Sequence, residues 1–341
     1  MNKRQEEILI ATITDYVGNA TPVSSTTLKE NHHFSCSSAT IRNDCKALAE
    51  SGYLAQNHSS SGRIPTTKAY RHYVNYLKEN GLDHPQLVTF MKDITTIEHS
   101  ITELMTALSQ SLVTMTPYAM VLFLPDTIKT VLKATYLLSV DLSKVLIVLL
   151  GSLGMRKEHL CTLSQNLSQD ELNQLSKLIS EKIEGVSATD ITDDFIAKVT
   201  TYMPKYQSVL TEILSQIKSC STKEQSQGSI QTFGQSKLLQ FPEFSTIGGV
   251  KQVLGTLEET QLLCKLFNAF METKQNYDVV IGEEGGRHFS DDCSMVLSGC
   301  HHEDIPVAGF GFIGPNRMSY SETISFAQGV CKEITTLNCI K

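Results

Sequence analysis

The chain has 341 residues, which at roughly 100–200 residues per domain is enough for two or three domains. Its composition, 41% hydrophobic and 19% charged, is ordinary for a globular protein, and no apolar run reaches the length of about 18 residues that predicts a membrane-spanning helix. The net charge of −7 argues against a uniformly basic nucleic-acid-binding protein, but residues 1–77 carry eight Lys and Arg against six Asp and Glu. The N-terminal segment is therefore the part that we expect to face an anion.

The N-terminus and the cysteines indicate the compartment. Residues 1–7 lack the apolar core of a signal peptide, so we expect a cytoplasmic protein. The nine cysteines are irregularly spaced and none forms a C-x-x-C pair. In a reducing compartment this set does not predict a disulfide framework, and we expect most of these cysteines to be small buried side chains.

Two helices are predicted in the first 30 residues. Apolar residues at three- and four-residue spacing, from Ile8 to Val17, predict a helix over residues 5–17 that ends at Gly18. A second helix is predicted over residues 24–30, with a serine as its N-cap.

The third predicted helix, residues 37–50, has a face suited to reading DNA. Ile41, Cys45 and Leu48 lie on one side of it, and a serine caps its start. The opposite face is small and polar near its N-terminus, so the backbone can approach a major groove, where Asn pairs with adenine and Arg or Lys with guanine or phosphate. On this face the expected contacts to base edges are Thr40, Asn43 and Lys46.

The next segment predicts a two-stranded wing. Residues 53–56 and 63–65 read as short strands on either side of the polar loop 57–62, and a closing helix follows over residues 68–77. An amphipathic surface helix explains residues 37–50 equally well when they are considered alone, but the strands and the closing helix favour a winged helix-turn-helix. The remaining DNA-contacting residues that we predict, mainly to phosphates, are Ser37, Ser38, Arg42, His58, Ser60, Arg63, Lys68 and Arg71.

These motifs together resemble the DNA-binding domain of HrcA, the family of bacterial heat-inducible transcription repressors. The similarity also extends along the chain and is weakest between residues 155 and 235. The segments that carry it are residues 4–5, 8–9, 22–25, 37–44, 52–54, 58–66 and 70–74, and then 238–244, 281–284, 292–294 and 309–320.

The resemblance implies a homodimeric repressor of heat-shock and chaperone operons that binds the inverted repeat called CIRCE and is kept active by the GroEL chaperonin. It also implies an α+β multidomain chain: a winged helix, a GAF-like domain and a dimerisation domain inserted into it. Two residues depart from the family pattern, Cys45 where Met is common and Ala49 where an acidic residue is common, and the sequence of the loop 285–288 is idiosyncratic. The first two should affect packing more than DNA reading, whereas the role of the loop is left open.

The rest of the chain follows this division. We expect the winged helix at residues 1–80, a connector at 81–99, the GAF-like domain at 100–155 and 236–341, and the inserted helical and mixed dimerisation domain at 156–235. Helical spacing between residues 160 and 218 is consistent with the inserted domain. The same spacing is also expected if these helices only form part of a hydrophobic core and have no role in dimerisation.

Other functions have weaker signals. Residues 309–314 match G-x-G-x-x-G, but Pro315 follows at once and the alternation is that of a strand, so glycines that let another backbone approach are the better interpretation. The doublets Glu283-Glu284 and Asp291-Asp292 suggest a solvated loop, and no histidine pair has the spacing of a metal site. We expect no catalytic site, metal or cofactor. The alternative to a chaperonin-controlled repressor is a regulator that senses a small effector through the GAF-like domain.

Overall fold

The computed structural model describes residues 1–56, 62–81, 101–125, 131–152, 156–187, 190–222, 228–273, 275–302 and 305–336. The wing-tip candidates His58 and Ser60, and the connector predicted at 81–99 except Gly81, lie outside these residues. Among the helices that the structure describes, none is long and apolar enough to cross a membrane.

The helices predicted over the first 80 residues are present, and two short strands lie between the third and the fourth. We refer to residues 1–81 as the N-terminal module. Its elements are α1 (Lys3–Asn19), α2 (Ser25–His32), α3 (Ser38–Glu50), β1 (Leu54–Ala55), β2 (Ile64–Pro65) and α4 (Thr67–Asn80). Each helix starts after a polar residue whose side chain accepts a hydrogen bond from a backbone N–H of the first turn; these caps are Asn2, Ser24, Ser37 and Thr66.

The apolar faces of these helices meet in one core. Ile8, Ile13, Ile41 and Leu48 are fully or almost fully buried there. Cys45 is also buried, and burial raises the pKa of its thiol to about 11, so it stays protonated at neutral pH. The predicted buried side of the third helix is therefore confirmed, with Cys45 as a packing residue.

The elements that follow the module form an antiparallel sheet flanked by helices and a separate, smaller unit. In chain order they are α5 (Ile101–Thr114), β3 (Ala119–Leu124), β4 (Leu132–Ser139), β5 (Lys144–Gly151), β6 (Arg156–Thr162), α6 (Gln169–Ile183), α7 (Asp193–Thr200), α8 (Gln207–Thr222), β7 (Ser229–Phe233), α9 (Ile247–Glu258), α10 (Thr260–Glu272), β8 (Tyr277–Ile281), β9 (Cys293–His302), β10 (Ile305–Pro315) and α11 (Tyr320–Thr336).

The central sheet has five strands in the order β7-β3-β10-β9-β8, and every neighbouring pair is antiparallel. Alternate residues point to opposite faces of a strand, so each face of the sheet builds its own core. Met120 and Leu122 belong to a core shared with α5 and α11, whereas Val121 and Phe123 belong to one shared with α9 and α10. We call this sheet with its four helices the central domain.

The second sheet, β4-β5-β6, belongs to a separate unit with α6, α7 and α8. Its core runs from Leu132 to Ile217. Among the described residues, this core shares no buried residue with the cores of the N-terminal module and the central domain. The boundary predicted between residues 155 and 156 falls between β5 and β6, which are neighbouring strands of this sheet. The unit therefore takes in the strands from Leu132 onward, because β4, β5 and β6 are joined by backbone hydrogen bonds and bury their apolar residues in the same core.

The glycine-rich segment 309–314 lies within strand β10, as predicted, and no helix follows it directly. Its glycines admit aromatic rings and not another backbone. A Cβ on Gly309 would lie 2.7 Å from the Phe267 ring, and one on Gly314 would lie 2.5 Å from the Tyr118 ring. The segment is thus a packing feature of the sheet.

One cysteine pair departs from the sequence expectation. Cys300 of β9 and Cys331 of α11 form a disulfide, with their Cα atoms 4.8 Å apart and a separation of 31 positions in sequence. Spacing along the chain could not show this pair, because the strand and the helix meet only in the folded protein. Cys36, Cys45, Cys161, Cys264 and Cys293 are not joined in disulfides.

Candidate nucleic-acid interface

The outer face of α3 presents polar and basic side chains to solvent. Ala39, Arg42, Asn43 and Lys46 are exposed, and three- and four-residue steps along a helix place them on one side. Lys46 lies 3.8 Å from Glu50, but both side chains are about 70% exposed, so this pair holds Lys46 only weakly. The structure therefore brings together three of the predicted DNA contacts, Arg42, Asn43 and Lys46.

The start of α3 is fixed by its serines and threonine. Ser37 Oγ accepts a hydrogen bond from the Thr40 backbone N–H at 3.1 Å and lies 2.9 Å from Thr40 Oγ1. Ser38 is half-buried and donates to Ser25 Oγ at 3.2 Å, which ties α3 to α2. Ser37 and Thr40 thus remain at the rim of the exposed face, whereas Ser38 is turned toward the neighbouring helix.

The inner side of α3 carries a charged contact that the sequence analysis missed. Asp44 is buried, and its carboxylate accepts hydrogen bonds from Arg4 Nε at 2.8 Å and Arg4 Nη2 at 3.4 Å. This partnership raises the pKa of Arg4, mainly through the hydrogen bond. The contact anchors α3 to the start of α1, so it fixes the angle at which the exposed face is presented.

The two-stranded sheet packs against the start of α2. Backbone hydrogen bonds of 2.8 and 2.9 Å link Arg63 and Val23 in both directions. Gly62 permits this approach, because a Cβ there would lie 2.6 Å from the Pro22 carbonyl. Arg63 is half-buried, and its Nε is enclosed with no hydrogen-bond partner among the described residues.

Lys68 lies at the far end of α3. Its ammonium donates to the Ser51 carbonyl at 2.9 Å, at the C-terminus of that helix, and sits 4.5 Å from the centre of the Tyr53 ring. The structure therefore separates Lys68 from the N-terminal half of α3, where Ser37 and Thr40 lie.

Arg71 faces the central domain and not solvent. Its Nε donates to Glu284 Oε1 at 2.8 Å, its Nη2 donates to Glu284 Oε2, and Nη2 also donates to the Val279 carbonyl at 2.5 Å. The Glu284 carboxylate also accepts the backbone N–H of Ile281. The acidic doublet that the sequence suggested to be a solvated loop thus contributes a specific partner for an arginine.

Further contacts join the module to the central domain at the same side. Lys78 lies 3.2 Å from Asp278, and Arg317 donates to the Val17 carbonyl at the end of α1 while it pairs with Glu243. The Tyr70 and Tyr320 rings are 6.0 Å apart, and burial strongly raises the pKa of both phenols. The α4 side of the module therefore packs against the central domain, and we call it the docked face. The outer face of α3, in contrast, is exposed to solvent.

No group of His, Cys, Asp and Glu among the described residues is arranged to hold a metal ion. His32, from one of the predicted surface pairs, lies 2.8 Å from Asp15 and joins α2 to α1. The available chemistry on the exposed face of α3 is hydrogen bonding by an amide and attraction of anions by Arg42 and Lys46.

Comparison with known proteins gives a consistent result over the whole chain. A family model described as the HrcA protein C terminal domain matches residues 102–324. The heat-inducible transcription repressor HrcA of Natranaerobius thermophilus is 30% identical over 336 residues, covering 98% of this chain and 96% of the relative. The same repressor of Acetivibrio thermocellus is 29% identical over 326 residues, covering 95% of this chain and 93% of the relative.

A solved structure also shares the fold. A protein described only as hypothetical, solved at 2.2 Å resolution, superimposes with a TM-score of 0.57 at 20% identity, over 100% of this chain and 96% of the other. At this identity the likeness concerns the fold alone.

Proposed function

The chain belongs to the HrcA family of heat-inducible transcription repressors, and from this premise we propose that it represses heat-shock and chaperone operons by binding the CIRCE inverted repeat as a homodimer. In this proposal the N-terminal module is a winged helix-turn-helix, the central domain is the GAF-like domain, and the unit from β4 to α8 is the inserted dimerisation domain. GroEL modulates the activity, and the protein acts in the cytoplasm, where the chromosome is.

The observation that carries the proposal is the exposed face of α3. A recognition helix must offer hydrogen-bonding and basic side chains on a surface that fits the major groove. Asn43 and Lys46 are exposed on this face, with Arg42 beside them and the small Ala39 near the start of the helix. Together with Thr40, we assign Asn43 and Lys46 to base edges and Arg42 to a phosphate.

The other predicted DNA contacts are assigned to parts of the DNA according to where each residue lies in the sequence or the structure. Ser37 and Ser38 lie at the start of α3, where backbone N–H groups and hydroxyls suit a phosphate. We assign Arg63 and Lys68 to the DNA backbone beside the helix, with His58 and Ser60 at the wing tip. Arg71 reaches a phosphate only after it leaves Glu284, so its contribution requires the module to move away from the central domain.

Homodimer formation is supported by an apolar face of the β4-β5-β6 sheet. Alternate residues of the sheet point into the core of this unit, where Leu137 and Ile147 are buried. On the opposite face of the sheet Tyr136, Leu138 and Leu160 are 52%, 46% and 53% exposed. The register places Tyr136 opposite Val148, Leu138 opposite Leu146, and Leu146 opposite Leu160, so these side chains form one continuous surface.

A contiguous apolar surface of this kind marks an interface, and a twofold axis through it would present two α3 helices to an inverted repeat. Leu138→Glu is expected to convert the dimer to a monomer in sedimentation equilibrium. Lys177→Glu changes an exposed charge on the outer side of α6 in the same unit and should leave the dimer intact. A dimer that survives Leu138→Glu would place the interface elsewhere.

A second candidate, a small effector that acts through the central domain, is favoured by one feature. A cleft lies where α4, α10 and β8 meet, and Arg71, Phe270, Asp278 and Glu284 are among its lining residues. A ligand in this cleft would touch the Arg71–Glu284 contact directly. A metabolite that raises thermal stability and changes operator affinity in the absence of GroEL would support this candidate.

The deciding experiment is binding of the full-length protein to a CIRCE duplex and to a scrambled duplex of equal length, at about 0.15 M salt, with and without GroEL. Specific recognition predicts a preference of at least ~10³-fold for CIRCE. A further gain with GroEL would support the chaperonin part of the proposal. Equal, weak binding to both duplexes in the presence of GroEL would refute operator recognition.

A further inference from the structure

The disulfide between Cys300 and Cys331 joins strand β9 of the central sheet to helix α11. Both cysteines are buried, with 1% of Cys300 and 7% of Cys331 exposed. A cleft opens beside the pair, and its walls include Ser298, His301, Gln328 and Lys332. Cys331 is part of this lining, whereas Cys300 is not. The two sulfurs therefore differ in what can reach them.

The cleft also supplies a suitable environment for a sulfur that reacts. The Ser298 hydroxyl lies 3.4 Å from Cys331 Sγ and 3.0 Å from the Asn276 carbonyl. The exposed side chain of Lys332 lines the cleft together with Cys331. A thiolate is stabilised by nearby cationic groups, and only the thiolate attacks a disulfide.

We propose that Cys300 and Cys331 form a reversible thiol–disulfide switch, which low-molecular-weight thiols and disulfides operate through this cleft, with Cys331 as the reacting sulfur and Cys300 as the resolving one. In the closing direction the Cys331 thiolate attacks a small disulfide, forms a mixed disulfide and releases one small thiolate. The Cys300 thiol, as its thiolate, then displaces the second small thiol. Two protein thiols are oxidised, one small disulfide is reduced to two thiols, and no proton is gained or lost overall.

The switch controls how α11 is attached to the sheet. Near the start of α11, the Tyr320 hydroxyl lies 2.7 Å from Ser294 Oγ of β9, and about three turns further on Cys331 is bonded to Cys300 of the same strand. Reduction removes the second attachment and leaves the first. Because the Tyr320 ring also lies 6.0 Å from the Tyr70 ring, the helix that the disulfide holds is the one that contacts the N-terminal module.

The reversibility of the pair in the cell rests on the proposed function, because a repressor works in a reducing compartment, where protein disulfides are usually transient. The chemistry itself does not depend on DNA binding. A protein that fails to bind CIRCE but closes and opens this disulfide would refute the proposed function and leave the switch in place.

The test uses the full-length protein, first reduced and then treated with bis(2-hydroxyethyl) disulfide, followed by alkylation of free thiols and peptide mass mapping. We expect a cross-linked Cys300–Cys331 peptide after the treatment and its loss on reduction with dithiothreitol. At short times the mixed disulfide should appear on Cys331 before it appears on Cys300. Free, alkylated thiols at both positions after the treatment, or a first adduct on Cys300, would overturn the proposal.

Single variants test the two roles. Cys300→Ser should accumulate the small adduct on Cys331, whereas Cys331→Ser should leave Cys300 unmodified over the same time. Cys264→Ser, a change at a free and buried cysteine of α10, should leave cross-linking at the wild-type rate. If a variant does not fold, the time course of the wild-type protein still decides which sulfur reacts first.

A thermal measurement tests whether the bond acts on the fold. The oxidised wild-type protein is expected to unfold at a Tm roughly 5 °C above that of the reduced protein, since the bond constrains the unfolded chain. The difference should vanish in the double variant Cys300→Ser with Cys331→Ser. Equal Tm values for the oxidised and reduced wild-type protein would refute the control of α11.

Discussion

Two faces of the N-terminal module carry basic side chains, and they have opposite surroundings. On α3, Arg42 and Lys46 are exposed, and within the described part of the chain their one ion pair with a carboxylate is the weak contact of Lys46 with Glu50. On α4, Arg71 and Lys78 lie against carboxylates of the central domain, Glu284 and Asp278. The first face is available to an anion, whereas the second is already neutralised within the chain.

The difference shows why counting charges is a poor guide to a DNA-binding surface. The module has a small positive balance, eight Lys and Arg against six Asp and Glu over residues 1–77. That number does not reveal which basic groups are paired with partners that lie about 200 residues away in the sequence. The surface that can bind DNA is defined by which cations are exposed and at most weakly paired with a carboxylate, and this depends on the fold.

The largest effect on DNA binding is expected for a substitution on the outer face of α3. Asn43→Ala removes an exposed amide without touching the core, so discrimination between CIRCE and the scrambled duplex should fall by roughly 10- to 100-fold. Affinity for the scrambled duplex should stay within a factor of about three, because the base contact contributes little to binding of the DNA backbone.

The matched control is Asn75→Ala, which removes an exposed asparagine of α4 in the same module. It should change neither affinity. If both variants lose discrimination equally, the DNA-reading surface is not the outer face of α3.

The next effect concerns the contact beneath that face. Asp44→Ala removes the buried carboxylate that joins α3 to Arg4 of α1. We expect Tm to fall by roughly 2–5 °C, because hydrogen bonds to a charged group are lost inside the module. CIRCE affinity should fall as well, while the slope of binding against salt concentration should not change, since no phosphate contact is removed.

Glu7→Ala is the control for Asp44→Ala, because Glu7 is an exposed acidic residue of α1. It should leave Tm within about 1 °C of the wild type, as surface substitutions usually do. An altered salt slope in Asp44→Ala would mean that this carboxylate acts on DNA and not on the position of α3.

Much of the local structure could be predicted from the sequence, because helical periodicity and cap residues act over a few positions. The spacing of Ile41, Cys45 and Leu48 correctly identified the buried side of α3. Asp44 lies on that same side, but a charged residue there carries no apolar signal, and its partner Arg4 is 40 residues away. The inward position of Asp44 was therefore missed.

Long-range pairings were missed for the same reason. No local pattern showed that β5 joins β6 and a helical unit instead of the central sheet. Likewise, the doublet Glu283-Glu284 looks uniform in sequence, yet Glu284 binds Arg71. Which of two adjacent carboxylates meets a partner is decided by the turn that carries them and by the docking of α4.

The smallest expected effect tests the docked face. Glu284→Gln removes the charge that competes with DNA for Arg71, so affinity for any duplex should rise by roughly two- to threefold, in line with the modest strength of partly exposed ion pairs. The gain should disappear when Arg71→Ala is added, because it depends on the freed guanidinium. Glu283→Gln makes the same change of charge at the exposed neighbour and should give a smaller gain or none.

The double variant Glu284→Gln with Arg71→Ala distinguishes the release of Arg71 from a general loss of negative charge. If Glu284→Gln raises affinity and Arg71→Ala cancels the rise, the docked face is a second DNA-binding surface that the central domain holds closed. If the rise persists without Arg71, it comes from the general loss of negative charge, and Glu283→Gln should then match it. If neither variant changes affinity while both lower Tm, the Arg71–Glu284 pair only positions the module, and the outer face of α3 with the adjoining wing accounts for DNA binding without α4.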